Sequence, residues 1–224
     1  MNEPLVRCIG AGRTFGSGKI ATVAVQPTDC EVAPGARIAL VGPSGSGKST
    51  LMHLLAGLDE PTVGTIEWPA IGRRGDLRPG PIAVVFQGPS LLPPLTVLEN
   101  VALPAVLGGT GDAQARELAR VALDRLDLGE LAEKLPEEIS GGQAQRVAVA
   151  RALAGEPRLI LADEPTGQLD HVSGAAVIEV LLAAADHAGA GLVVATHDPA
   201  VADRLPERWE AHSGRLDKEP AWSR

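Results

Sequence analysis

The 224-residue chain has no tyrosine, two phenylalanines and three tryptophans. Its interior therefore cannot rest on stacked rings. It must be built from Ala, Val, Leu and Ile, whose burial supplies about 25 cal/mol per Å² of apolar surface. Cysteine is nearly absent: Cys8 and Cys30 are the only two. One widely separated pair offers neither a zinc-ligand spacing nor a disulfide framework, so two reduced thiols are expected. Positive charge is in deficit, with 20 Lys and Arg against 28 Asp and Glu, a net charge of −8. Without a basic cluster, nucleic-acid binding by phosphate neutralisation is argued against. No run reaches the roughly 18 apolar residues of a membrane-spanning helix. The stretch VALPAVLGG is too short and carries a proline. The opening residues, MNEPLVRC, lack the apolar segment of a secretion signal. What remains is one medium domain, or one domain with a small appended lobe, expected to have no membrane span and large enough to bury a core without staples.

Apolar runs are present, and their spacing is regular. Residues 5–9 and 20–25 read as strands with a hairpin-like loop, GAGRTFGSG, between them. ARIALV (36–41), PIAVVFQ (81–87), RLILADEP and GLVVATH (191–197) are short unbroken runs, expected as strands buried on both faces. Helical patterns alternate with them, which argues for an α/β fold with a parallel, helix-covered sheet. Residues 88–155 look mostly helical and read as an insertion between two strands. Within it, Leu118, Val121, Ala122 and Leu126 are expected to form the buried face of one helix. Another helix is expected to open at Ser140, an N-cap residue, and to stop at Gly155. The segment 206–224, rich in proline and charge, is expected to be at most partly ordered.

GPSGSGKS, residues 42–49, fits the spacing G-x-x-x-x-G-K-[ST]. It follows a strand and opens a helix, the context in which this spacing cradles phosphates. Gly42, Gly45 and Gly47 let backbone amides converge on an anion, and the helix that follows adds its positive end. Pro43, Ser44, Ser46 and Thr50 complete the segment. Lys48 would reach the β- and γ-phosphates of a nucleotide, and Ser49 would offer a hydroxyl to Mg²⁺. A bound nucleoside triphosphate needs a metal acid. Asp163 stands at the carboxyl end of an apolar strand, where open parallel sheets bind ligands, and is read as that acid, through water. The adjacent Glu164 diverges from it and is the candidate to polarise an attacking water, help worth about 10²–10⁴ in rate. Ser140 caps a second helix whose first amides lack partners, so it too can receive an anion.

That second receiver is ISGGQAQR, in which Ser140, Gly141, Gly142 and Gln143 match the motif usually written LSGGQ. With the phosphate loop before it and the acidic strand end after it, the chain resembles the nucleotide-binding subunits of ABC transporters, from residue 5 to about 216. The resemblance implies a P-loop NTPase fold: a mostly parallel RecA-like sheet, an N-terminal antiparallel β subdomain and an inserted helical subdomain. Residues 1–87 and 156–205 would form the catalytic core with its β subdomain, 88–155 the helical subdomain and 206–224 a tail. It also implies an ATP hydrolase that dimerises head to tail, as a homodimer or with a similar ATPase. ATP bound at residues 42–50 of one copy would be covered by residues 140–143 of the other. Further roles carry over by resemblance. Gln87 would touch Mg²⁺ and sense the membrane partner, Asp170 would cross the dimer axis, His197 would contact the γ-phosphate and Phe15 would stack on adenine. Ile139, Ala144 and Gln168 depart from the commoner Leu, Gln and Asn, at positions with no assigned catalytic role.

ADEPTGQLD and VVATHDPAVADRL resemble the branch that serves lipoprotein release, macrolide efflux and cell division. The implied partner is a transmembrane permease, with the chain peripheral on the cytoplasmic face of the membrane and residues 88–107 helping to receive the permease. The segment VFQGPSLLPPLTVLENVALP fits that branch and also resembles nitrate- and sulfonate-type importer ATPases, which leaves that class as an alternative. A non-transport or regulatory ABC ATPase is a further one. It is disfavoured by the single cassette and by Glu164 and His197 both being in place.

Overall fold

The computed structural model describes residues 3–219. Strands β1 (Val6–Phe15), β2 (Thr22–Val32) and β4 (Val63–Glu67) form a three-stranded antiparallel sheet in the order β2-β1-β4. β1 runs through most of the segment expected as a loop. Its pairing with β2 continues to Phe15↔Thr22 across several register shifts, which absorb Gly10 and its neighbours as bulges. Cys8 and Cys30 lie opposite each other in this ladder, both buried and both free thiols. A hydrogen bond from Cys30 and burial push the Cys8 thiol far above its ordinary value.

The second sheet has six strands in the order β5-β6-β7-β3-β8-β9. These are β3 (Arg37–Val41), β5 (Ile82–Val85), β6 (Leu159–Asp163), β7 (Gly191–Thr196), β8 (Glu207–His212) and β9 (Arg215–Glu219). All neighbours pair in parallel except β8 and β9. β6 and β7 are buried at every position, as unbroken apolar runs require. The register aligns Val41 with Thr196 and Asp163 with Ala195, so β3, β6 and β7 end along one carboxyl edge.

The segment 206–224 differs from expectation over its described part. Residues 207–219 form an antiparallel hairpin that extends the central sheet, with Trp209 fully buried. Trp209 and Ala211 are buried on one face of β8 with Glu210 between them on the other, and Ser213–Gly214 makes the turn. Residues 220–224 lie outside the described residues.

Helices α1 (Lys48–Leu55), α5 (His171–Ala188) and α6 (Pro199–Ala202) belong to the central sheet. Between β5 and β6 stand α2 (Val97–Leu107), α3 (Asp112–Asp124) and α4 (Gly141–Leu153), the expected helical insertion. The buried face of α3 is Ala115, Ala119, Ala122 and Leu123, with Leu126 just beyond it also buried, whereas Leu118 and Val121 are exposed. The small alanines let α3 pack closely on α2 and α4, and Leu118 and Val121 turn outward.

Candidate active site

The phosphate loop joins β3 to α1, and its glycines are fixed by contact as well as by conformation. A Cβ on Gly42 would stand 2.2 Å from the Ala211 carbonyl oxygen, and one on Gly47 would stand 2.2 Å from that of Ala24. The loop is thus pressed between β2 and the C-terminal hairpin. Gly214 N–H donates to the Ser46 carbonyl at 3.0 Å, and Gln26 N–H donates to the Gly214 carbonyl at 2.8 Å. This support was not anticipated from sequence. The signal available was the Ser-Gly pair between two short alternating runs, which marks a hairpin.

Lys48 is 6% exposed. Its Nζ donates to the Gly42 and Pro43 carbonyls at 2.8 and 3.2 Å and lies 3.4 Å from Glu164 Oε1. Glu164 Oε2 in turn lies 2.6 Å from His197 Nδ1. The three groups predicted separately are one linked chain: a cation on α1, an acid after β6 and an imidazole after β7. Glu164 holds a left-handed backbone, φ 47°, uncommon for a residue with a side chain and typical of functional turns. Asp163 precedes it, 8% exposed, with Oδ1 lacking any hydrogen-bond partner. Burial pushes the Asp163 carboxyl up from its ordinary value, opposed by a hydrogen bond with Ser49 and by the charges of His53 and Lys48. Gln87 follows β5 by two residues, and its amide reaches the same turn: a Cβ on Gly167 would lie 3.4 Å from Gln87 Nε2.

Ser44, Gly45 and Ser49 are exposed at the mouth of the loop, and Ser46 is buried with its Oγ unpartnered. Phe15 is 43% exposed at the end of β1, with the Arg13 guanidinium 4.6 Å from its ring centroid. Arg13 Nε is 2.9 Å from Asp59 Oδ2, a charge contact too bent to count as a hydrogen bond.

Ser140 caps α4 as expected, and a full capping box is present. Its Oγ accepts from Gln143 N–H at 3.2 Å, and Gln143 Oε1 accepts from Ser140 N–H at 2.9 Å. Gly141 is exposed, and Gly142 faces Ser173 at the start of α5. Among the described residues, no hydrogen bond or ion pair joins residues 140–143 to residues 42–50. Asp170 sits beside this turn as the N-cap of α5. Its carboxylate accepts from the Val172 and Ser173 amides at 3.0 Å each and from the Ser173 hydroxyl at 2.8 Å. Those bonds, the Ser173 amide first, hold its carboxyl below the ordinary value.

Residues 25–167 match the family model described as ABC transporter. The lipoprotein-releasing system ATP-binding protein LolD of Shewanella sp. (strain MR-4) is 39% identical over 96% of this chain and 96% of its own length. The protein of that name from Xanthomonas campestris pv. campestris (strain 8004) is 42% identical over 95% and 92%. A dimeric, post-hydrolysis structure of the ATP-binding cassette MJ0796 bound to ADP and Pi superposes with a TM-score of 0.87. It is 32% identical and covers 98% of this chain and 100% of its own. With a phosphate loop, an acidic strand end and a serine-capped ISGGQ turn in place on this fold, the chain belongs to the ABC transporter family, as an ATP-binding cassette.

Proposed function

We propose that the chain is the ATP-hydrolysing subunit of an exporter of the lipoprotein-release type, working as a dimer around two MgATP and driving a separate permease. The observation that carries the reading is the Lys48–Glu164–His197 linkage at the carboxyl edge of the sheet, beside the glycine loop. Phosphate oxygens would take over the Lys48 ammonium, which now bonds loop carbonyls. Glu164 accepts the proton of the attacking water. His197 orients that carboxylate and is placed to meet the γ-phosphate. The protein's contribution is positioning and charge, as in phosphoryl transfer generally.

The residues fit a divalent cation. Asp163 presents a buried oxygen without a partner, and Ser49 supplies a hydroxyl beside it. With the Gln87 amide they form an all-oxygen donor set of the kind Mg²⁺ takes. The cation would neutralise charge on the phosphates. Phe15 offers an apolar ring for the base, with Arg13 already on the ring. Among the described residues, no hydrogen bond or ion pair joins residues 140–143 to their own chain's phosphate loop, which supports their closing a second copy's site. Asp170, committed to capping α5 beside that turn, would act at the dimer interface by holding α5 against it.

An exposed groove of about 430 Å³ lies between the helical insertion and the core, lined by residues that include Leu58, Arg78, Phe86, Leu103, Pro104 and Leu107. Leu58, Phe86 and Leu107 are 42%, 37% and 69% exposed. Such a patch suits a helix laid into it, and we assign it to the permease. No helix among the described residues is long and apolar enough to cross a membrane. The subunit would then sit peripherally at the cytoplasmic face. The names of the relatives support the lipoprotein branch over importers.

Glu164→Gln is the test. It should abolish phosphate release, by about 10²–10⁴-fold, while ATP binding persists and the dimer becomes isolable with ATP. Wild-type phosphate release by this variant would remove Glu164 from its role.

A further inference from the structure

The segment after β5, residues 86–92, carries Gln87, and among the described residues 87–91 make no backbone–backbone hydrogen bond. Side chains from the helical insertion hold it. Asn100, fully buried on α2, accepts from the Leu92 amide at 2.7 Å and donates to the Leu92 carbonyl at 3.1 Å. The remaining bonds come from α4, the helix that the ISGGQ turn opens. Gln145, 2% exposed, donates Nε2 to the Phe86 carbonyl at 3.1 Å. Arg151, two turns further on, donates to the Ser90 carbonyl at 2.9 Å, the Ser90 hydroxyl at 2.8 Å and the Pro89 carbonyl at 3.4 Å.

Arg151 is an unusual choice for mere packing. No carboxylate faces it among the described residues, and desolvation holds its guanidinium below the ordinary value. A partly desolvated cation answered only by neutral oxygens is a poor source of stability, but its planar fork fixes a loop firmly. The loop it grips includes Ser90 at φ 44°, a strained conformation that persists only where surroundings enforce it.

We propose that Gln145 and Arg151 are positioning residues that fasten the segment bearing Gln87 to the helix bearing Ser140 and Gln143, so that the two move as one body. This rests on the proposed role of Gln87. In the dimer reading, Gln87 serves its own chain's ATP and Ser140 closes the partner's. The fastening then makes α4 a rigid strut between the two sites. Phe86, whose carbonyl Gln145 holds, lines the docking groove, so the same strut reaches the permease face.

The test is a double-substitution cycle on MgATP turnover by the full chain in the membrane complex with which it purifies. Gln145→Leu should lower kcat about tenfold, within the range a misplaced catalytic group costs, and leave the KM for ATP within about twofold. In a Gln87→Ala background the same substitution should change kcat by less than about twofold, because it acts through Gln87. Losses that multiply independently would overturn the proposal. If Gln87→Ala leaves turnover untouched, the role of Gln87 and this inference both fall, whereas the Glu164 test still stands. Arg151→Lys, which keeps the charge and loses the fork, covers the case where the glutamine variant folds poorly. Amide exchange in residues 86–92 should rise about tenfold while the rest of the chain is unchanged. No rise, or a uniform one across the molecule, counts against the fastening.

Discussion

The chain carries two glycine- and serine-rich turns that open helices, and they are built on opposite plans. At the phosphate loop, Gly42 and Gly47 press against carbonyls of Ala211 and Ala24 with no space for a methyl group, and Lys48 is drawn inside. At the ISGGQ turn, a Cβ on Gly141 would meet nothing within 4 Å, and Ser140 spends its hydroxyl on its own helix. The first is enclosed by the rest of its chain. The second is exposed, and among the described residues no hydrogen bond or ion pair ties it to its own chain's phosphate loop. Turns of similar composition are thus packed in opposite ways.

Placing one methyl group in each turn gives the sharpest contrast. Gly47→Ala puts a Cβ in a left-handed conformation against a backbone carbonyl. It should cost about 3 kcal/mol from strain and overpacking, a fall in Tm of roughly 6–12 °C for a domain of this size. ATP binding should be lost with it. Gly141→Ala should leave Tm within about 2 °C, yet reduce MgATP turnover once two copies must close. Calorimetry and phosphate release on the same two variants check both halves, and equal thermal losses would erase the distinction.

Ser140→Ala is smaller in effect. Loss of the cap should cost about 1 kcal/mol, with turnover falling further than that stability loss accounts for. Wild-type turnover in this variant would make Ser140 a cap and nothing more.

The least expected effect is at Asp170. Its carboxyl is held below the ordinary value by hydrogen bonds, so its contribution is present above the unfolded value, about pH 4. That contribution is lost as pH falls through the lower folded value. The stability gap between wild type and Asp170→Asn, read from urea midpoints, should therefore narrow in acid. A gap that widens below pH 4 would contradict the capping assignment.

Much of this was legible in the chain. The strand–GPSGSGKS–helix context, Asp163 at a strand end and the capping Ser140 all express local rules, and each stands where its spacing indicated. The misreadings share a cause. Most of the loop at 10–18 became strand because β2 paired with it, and 207–219 became a hairpin because β3 offered an edge. On α3, Leu118 and Val121 lost the buried face to alanines because close helix approach favours small residues.

The sequence alone determined where the glycine loop, the strand-end acids and the capping serine stand, since backbone freedom, helix caps and strand ends are properties of a few neighbouring positions. Only tertiary structure decided how those residues connect. The linkage of Lys48, Glu164 and His197, the hairpin behind Ser46, and the grip of Gln145 and Arg151 on residues 86–90 join segments far apart in the chain. Such contacts depend on parallel register and packing, which no local pattern encodes.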